Sequence, residues 1–92
     1  MNDAALLAAV KTDLGIKTNA YDDRISARIQ TAKDWIAAEG ATLKNSAGDD
    51  ELVVMYAAWL WRSRMTGEGM PRMLRFALNN RVFGEKAGNA NA

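Results

Sequence analysis

The alternation of apolar and polar residues divides the chain into four helical segments. In the first, about residues 3–14, leucines and a valine recur near the i, i+3, i+4 spacing of one helix face, and Gly15 predicts a left-handed helix end. The second starts within TNAYDD, where Thr18 or Asn19 is predicted to cap it, and ends near Glu39 and Gly40. Its core face is a narrow stripe of Ile25, Ile29, Ala32 and Ile36.

The third segment follows SAGDDE, where Ser46 or Asp49 offers a capping oxygen. Apolar side chains from Leu52 to Trp61 point in every direction around the axis, which predicts a helix that is buried all round. Trp59 and Trp61 would project about 200° apart on an α-helix. We therefore expect one of them to face the bundle and the other a surface that another molecule covers.

The fourth segment begins at Pro71, which suits a first helical turn, and is predicted to end near Phe83, closed by Gly84. One side is predicted to pack inward, and it consists of Met70, Leu74, Ala77, Leu78 and Val82. The other side carries Met73, Phe76 and Phe83. The prediction is an all-α bundle of four helices, with one domain over residues 1–86 and a short flexible C-terminal tail over residues 87–92.

The amino-acid composition argues against several kinds of catalytic site. The 92 residues are 49% hydrophobic and 25% charged, which is ordinary for a globular domain, and they include no cysteine and no histidine. Thiolate sites, disulfides and the commonest general base are thus excluded. The carboxylates at Asp22–Asp23 and Asp49–Glu51 stand at helix starts, where capping and the helix dipole explain them, and the glycines at 67 and 69 lack the P-loop pattern. We expect no catalytic, cofactor or metal site, and no small-molecule substrate.

Charge is distributed unevenly along the chain. The net charge is only +1, yet residues 62–92 carry six basic and two acidic side chains, a balance of +4. A solvated helix surface and attraction to an acidic partner or nucleic acid both explain this asymmetry. The N-terminus lacks a secretory leader, and the longest apolar run is about half of the ~20 residues that span a bilayer, so we expect a cytoplasmic protein without membrane contact.

Two stretches of the chain resemble a known family. LLAAVKTDLGIKTNAYDDRISARIQTAKDWIA resembles the opening of the small helical head-tail connector proteins of tailed bacteriophages and prophages, which are also called DNA-packaging or head-completion proteins. YAAWLWRSRMTGEGMPRMLRFALNNRVFGEK is similar to the third and fourth helices of one branch of that group. The similarity covers roughly residues 4–86.

This resemblance implies a structural adaptor and not an enzyme. Such a protein forms a ring of identical subunits on the portal protein, extends the DNA channel and presents a surface to a tail-side connector or completion protein. It would occupy the host cytoplasm during assembly and then the virion neck. From helix geometry, we expect the contacts between subunits to involve Trp61, Met65, Met73, Phe76 and Phe83. Contacts with the portal or with DNA in the channel are expected at Arg72, Arg75, Arg81 and Lys86.

A second hypothesis is a small DNA-binding helical protein of phage or prophage origin. Its arginines on the third and fourth helices would contact phosphates. The sequence pI of about 8.1 and the lack of a recognition-helix motif or stacking platform favour the adaptor.

Overall fold

Four α-helices in one small bundle make up the fold. A computed structural model describes the backbone of residues 1–90 and the side chains of residues 1–87. The helices are α1 (Asp3–Leu14), α2 (Asp22–Ala38), α3 (Ala47–Thr66) and α4 (Arg72–Ala90), and the described residues contain no strand. The predicted all-α class and four-helix bundle are confirmed. Residues 91 and 92, at the end of the predicted flexible tail, lie outside the described residues.

Helix boundaries follow local capping chemistry. Gly15 and Gly67 adopt left-handed conformations with φ of 70° and 66°, and thereby end α1 and α3. The Ser46 side chain accepts a hydrogen bond from the Asp49 backbone N–H at 3.1 Å, as predicted for the start of α3. The predicted cap of α2 by Thr18 or Asn19 is wrong.

Neither candidate caps α2, because the helix begins at Asp22, three or more residues after both of them. The residue before α2 is Tyr21, which makes no side-chain capping bond. Asn19 Oδ1 instead accepts from Lys11 Nζ at 2.9 Å, and Thr18 Oγ1 accepts from the Ala20 backbone N–H. The carboxylate of Asp22 lies 2.8 Å from Lys11 Nζ, so Lys11 links the start of α2 to α1.

The centre of the bundle is α3, against which α1, α2 and α4 all pack. The predicted core stripe of α2 is fully buried, and Leu6 and Val10 of α1 are buried with it. Between Leu52 and Trp61, all side chains of α3 are buried except Met55 and Trp59, which are half-buried. Because three helices surround it, α3 places its apolar side chains inside one protomer.

The predicted all-round burial of residues 52–61 is thus largely supplied within one protomer, and little of their apolar surface is left for another molecule to cover. An all-round apolar helix needs burial on all sides, and its central position supplies this without a second molecule.

The last helix is longer than predicted. Pro71 lies immediately before α4, and its carbonyl oxygen accepts a hydrogen bond from the Arg75 backbone N–H at 3.0 Å. The predicted end at Phe83 and Gly84 is wrong, because Gly84 has no positive φ and the helix continues to Ala90. A glycine ends a helix only when it adopts the left-handed conformation, and Gly84 stays helical.

Candidate assembly surfaces

The largest exposed apolar side chains of the C-terminal third lie on α4 and at the end of α3. Met73, Phe76 and Phe83 are 75%, 57% and 75% exposed, and Met65 is 81% exposed. At 100° per residue, positions 73, 76 and 83 fall within about 80° of one another on α4. We call Met73, Phe76 and Phe83 the α4 stripe.

The inward side of α4 is equally well defined. Leu74 and Leu78 are buried against α3, while Met70, Ala77 and Val82 are partly buried in the same core. The predicted division of α4 into an inner and an outer apolar side is thus confirmed by burial. The bundle therefore covers only one of the two apolar sides of α4.

Open grooves run along both sides of α4. One has a volume of about 270 Å³ and is lined by Glu39, Asn79, Val82, Phe83 and Lys86. The other, of about 300 Å³, lies between α4 and the first half of α3, where it is lined by Leu52, Met55, Ala77 and their neighbours. Since no described helix fills these grooves, α4 lies on α3 as an isolated outer helix.

Trp61 is not part of this exposed surface. The indole is 6% exposed, packs against Tyr21 with ring centroids 5.7 Å apart, and has the Arg64 guanidinium carbon 3.7 Å from its ring centroid. The expectation that Trp61 contacts a neighbouring subunit is therefore corrected, because α2 and Arg64 already cover it.

Trp59 is half-buried and organises the turn before α4. Its Nε1–H donates to the carbonyl oxygens of Glu68 and Gly69 at 3.2 and 3.1 Å. Its ring meets Tyr56 edge-on at 5.6 Å, and Tyr56 in turn meets Trp35 at 6.3 Å. Burial raises the pKa of the Tyr56 phenol.

Arg81 acts as an internal clamp and not as an exposed contact. Its Nε donates to Asp49 Oδ1 at 2.7 Å, NH1 donates to Glu85 at 2.8 Å, and NH2 donates to the Thr42 carbonyl oxygen. Asp49 is 4% exposed and also accepts from the Lys44 backbone N–H at 2.8 Å. The predicted role of Arg81 at the portal or DNA is corrected, because these bonds occupy its guanidinium inside the bundle.

This clamp shifts the pKa of all three groups that form it. Hydrogen bonds from Arg81 lower the carboxyl pKa of both Asp49 and Glu85, and the two carboxylates raise the pKa of Arg81. The charged forms are thus mutually stabilised, and they tie the middle of α4 to the start of α3.

The other predicted basic contacts differ in availability. Arg75 is 3.1 Å from Glu39 in a partly exposed ion pair that links α4 to the end of α2. Arg72 and Lys86 are exposed, and neither forms an ion pair with the side chains of residues 1–87. Of the four predicted cations, these two can meet a partner without breaking an internal bond.

One cluster was missed by sequence reasoning. Arg24 and Arg28 of α2 and Arg64 of α3 line a single groove, together with Ala27, Thr31 and Trp61. Arginines four residues apart predict neighbours on a helix surface. The approach of Arg64 depends on how α2 and α3 pack, which no local pattern reports.

No helix in the described part of the chain is long and apolar enough to cross a bilayer. The same residues contain no group of three acidic, histidine or cysteine side chains placed to hold a metal ion.

Comparison with known proteins adds no relative. No protein-family model, curated protein or solved structure matches this chain.

Proposed function

We propose that this protein is a structural head-tail connector of a tailed bacteriophage or prophage, which assembles through the exposed side of α4. The observation that carries the proposal is the α4 stripe, three large apolar side chains that the protomer leaves uncovered. The four-helix fold and the family resemblance of residues 4–86 support the more specific assignment to head completion and DNA packaging.

The stripe suits contact with a second helix. Exposed apolar side chains bordered by polar residues are typical of protein interaction sites. A helix from a neighbouring copy could pack on Met73 and Phe76, with its side chains entering the grooves beside α4. If each copy contacts the next through two different surfaces, the contacts repeat head to tail, and they close into a ring when the rotation allows.

Two cations of α4 that have no ion-pair partner among the described side chains suit a contact at the edge of such a ring. Arg72 and Lys86 are both exposed on α4. Polar and charged residues commonly border the apolar centre of a protein interface. We assign them to the portal protein, to the tail-side component or to DNA that passes through the channel.

The DNA-binding hypothesis has less support from the side chains it named. It required the arginines of α3 and α4 to reach phosphates. Three of these five arginines are already paired with carboxylates, since Asp49 and Glu85 hold Arg81, Glu39 holds Arg75, and Arg62 lies 3.7 Å from Glu68. Arg64 and Arg72 have no such partner among the described side chains. Breaking these pairs would oppose binding.

Self-assembly through the stripe is tested by introducing one charge. We expect the wild-type protein to form particles of one discrete mass as its concentration rises, measured by sedimentation velocity and seen as rings by electron microscopy. Phe76→Asp should stay monomeric, because an unpaired carboxylate would be buried at the contact. Ala8→Asp, at an exposed position of α1, adds the same charge and should assemble normally.

Two results would contradict this assembly. One is a wild-type protein that is monomeric at every concentration, and the other is a Phe76→Asp variant that still forms the rings. Near-ultraviolet circular dichroism of each variant checks that the fold is intact.

The location in a virion needs a separate experiment. After induction of the phage or prophage that encodes the chain, an epitope-tagged copy should purify with DNA-filled particles and label the head-tail junction in immunoelectron microscopy. Particles that lack the tagged chain, while the untagged protein is also absent from them by mass spectrometry, would exclude a connector role.

A further inference from the structure

Three arginines converge on a groove that lies apart from the α4 stripe. The groove has a volume of about 290 Å³ and is lined by Arg24, Ala27, Arg28, Thr31, Trp61 and Arg64. It lies where the first half of α2 meets the last turns of α3. Phe83, by contrast, shares its groove with Glu39, just beyond the end of α2.

The positive charge in this groove is not neutralised by any described side chain. Arg24, Arg28 and Arg64 form no ion pair with any carboxylate in the part of the chain whose side chains are described. Elsewhere, Arg62, Arg75 and Arg81 each have a carboxylate partner within 4 Å. None of the residues that line the groove is acidic. Like charges four residues apart on α2 repel each other, so an anion in the groove would relieve that repulsion.

Arg64 is fixed in place by the groove's own floor. Its guanidinium lies over the Trp61 ring, 3.7 Å from the ring centroid to the guanidinium carbon, and one of its nitrogens donates to the Trp61 carbonyl oxygen. Arginine that is stacked on an aromatic ring retains N–H groups at its edge for an oxygen ligand. Thr31 donates its hydroxyl to the Ala27 carbonyl oxygen at 3.1 Å, so the hydroxyl proton is already used.

We infer that this groove binds an acidic segment of another protein, with carboxylates spaced to meet Arg24 and Arg28 and a further carboxylate at Arg64. Arg24 and Arg28 are one helical turn, about 6 Å, apart along α2. Guanidinium groups bind carboxylates in paired hydrogen bonds, and the apolar side chain of Ala27 in the groove lining can contact the methylene groups of glutamate.

The groove is less suited to nucleic acid. Recognition of single strands relies on aromatic faces on which bases stack. Here Trp61 is 6% exposed, with Arg64 over one face and Tyr21 packed at 5.7 Å, so no free indole face is offered. The inference does not depend on the proposed connector role, since the groove is complete in one protomer and involves no residue of the α4 stripe.

Binding is tested with a fluorescent, alanine-based helical peptide whose glutamates are four residues apart, and with its glutamine counterpart. Fluorescence anisotropy should show binding of the glutamate peptide only. Arg28→Gln should weaken that binding about tenfold, as expected for loss of a charge-assisted, bidentate contact. Arg28→Lys should fall between the two, because it keeps the charge but loses the fork.

The matched control is Lys44→Gln, which removes one positive charge from an exposed position in the loop before α3 that has no ion-pair partner among the described side chains. Its affinity for the peptide should equal that of the wild-type protein. If Arg28→Gln does not fold, as judged by thermal melting, Arg24→Gln at an exposed position replaces it.

Three outcomes would overturn the inference. The first is absence of binding by the wild-type protein, and the second is equal loss of affinity in Arg28→Gln and Lys44→Gln, which would reflect net charge alone. The third is tighter, Arg28-dependent binding of a DNA duplex or of inorganic phosphate than of the glutamate peptide, which would assign the groove to phosphate.

Discussion

The two C-terminal helices differ in how much of their apolar surface the bundle covers. Both α3 and α4 carry apolar side chains on more than one side, yet α3 has other helices around it and α4 lies at the edge of the bundle. Consequently Trp61 on α3 is 6% exposed, whereas Phe83 on α4 is 75% exposed. The amount of apolar surface on a helix therefore does not decide whether it needs a partner; its place in the bundle does.

Because of this difference in position, the apolar side chains of α3 contribute to folding of the protomer, whereas those of the α4 stripe are available for assembly. Side chains of α3 are covered on folding of the protomer, so their burial contributes to the free energy of folding. Those of the α4 stripe gain this stabilisation only when another molecule covers them. Substitutions in the two helices should accordingly affect different measurements.

The largest effect is expected from Trp61→Ala on α3. Deleting this indole leaves a cavity beside Tyr21 and should lower the free energy of unfolding by about 3–5 kcal/mol, measured by urea denaturation of the monomer. Phe83→Ala on α4 removes a mainly exposed ring and should change that free energy by about 0.5 kcal/mol or less. Similar losses in both variants would mean that α4 is as well covered as α3.

The prediction for Trp61 differs from the expectation, based on helix geometry, that this one of the two tryptophans of α3 contacts a neighbouring subunit. Their opposite directions follow from spacing and are independent of the fold. Which direction faces a covering helix depends on the order in which α1, α2 and α4 surround α3, and the apolar pattern of residues 52–61 is the same for every order.

Most of the helix boundaries could be predicted, because caps are local. Ser46 and Gly15 each act within one turn of their position. The inner and outer sides of α4 were also predictable from periodicity. Arg81 was not, since Asp49 lies 32 residues earlier in the chain and only tertiary packing brings the two together.

An intermediate effect is expected at the clamp that holds α4 on α3. Arg81→Ala leaves the buried Asp49 carboxylate without its main partner and should cost about 2–3 kcal/mol of unfolding free energy near neutral pH. Arg62→Ala, which removes an exposed pair with Glu68, should cost about 0.5 kcal/mol or less.

The pH dependence of this cost identifies its electrostatic part. Because Arg81 lowers the carboxyl pKa of Asp49 in the folded protein, the stabilisation is complete above the unfolded carboxyl pKa of about 3.9 and is lost as the pH falls through the lowered value. Urea midpoints from about pH 7 to pH 2 should show the gap between wild type and Arg81→Ala narrowing below about pH 4. It should not vanish, since Arg81 still donates to the Thr42 carbonyl oxygen. A gap that is constant over this range would show that the clamp acts through packing alone.

The arginine groove shows what sequence patterns cannot supply. In the sequence, nothing distinguishes Arg24 and Arg28 from other basic residues on a helix surface. In the structure, Arg24 is exposed and Arg28 is half-buried. Their significance depends on Arg64, 36 positions after Arg28, and on the absence of a nearby carboxylate among the described side chains. Proximity between helices and missing partners are both properties of the packed bundle.

The smallest change in stability is expected at Gly84, where the sequence predicts the end of α4 but the helix continues to Ala90. Gly84 lies inside the helix, and a Cβ built there meets no described atom within 4 Å, so Gly84→Ala should stabilise α4 by about 0.5–1 kcal/mol. A Cβ at Gly67 would also meet no described atom within 4 Å. Its φ of 66° is unfavourable for alanine, however, so Gly67→Ala should lower the free energy of unfolding by about 1 kcal/mol. Thermal melts of the two variants should thus shift in opposite directions, with helical ellipticity rising in Gly84→Ala. A loss of stability in both would instead place the end of α4 at Gly84.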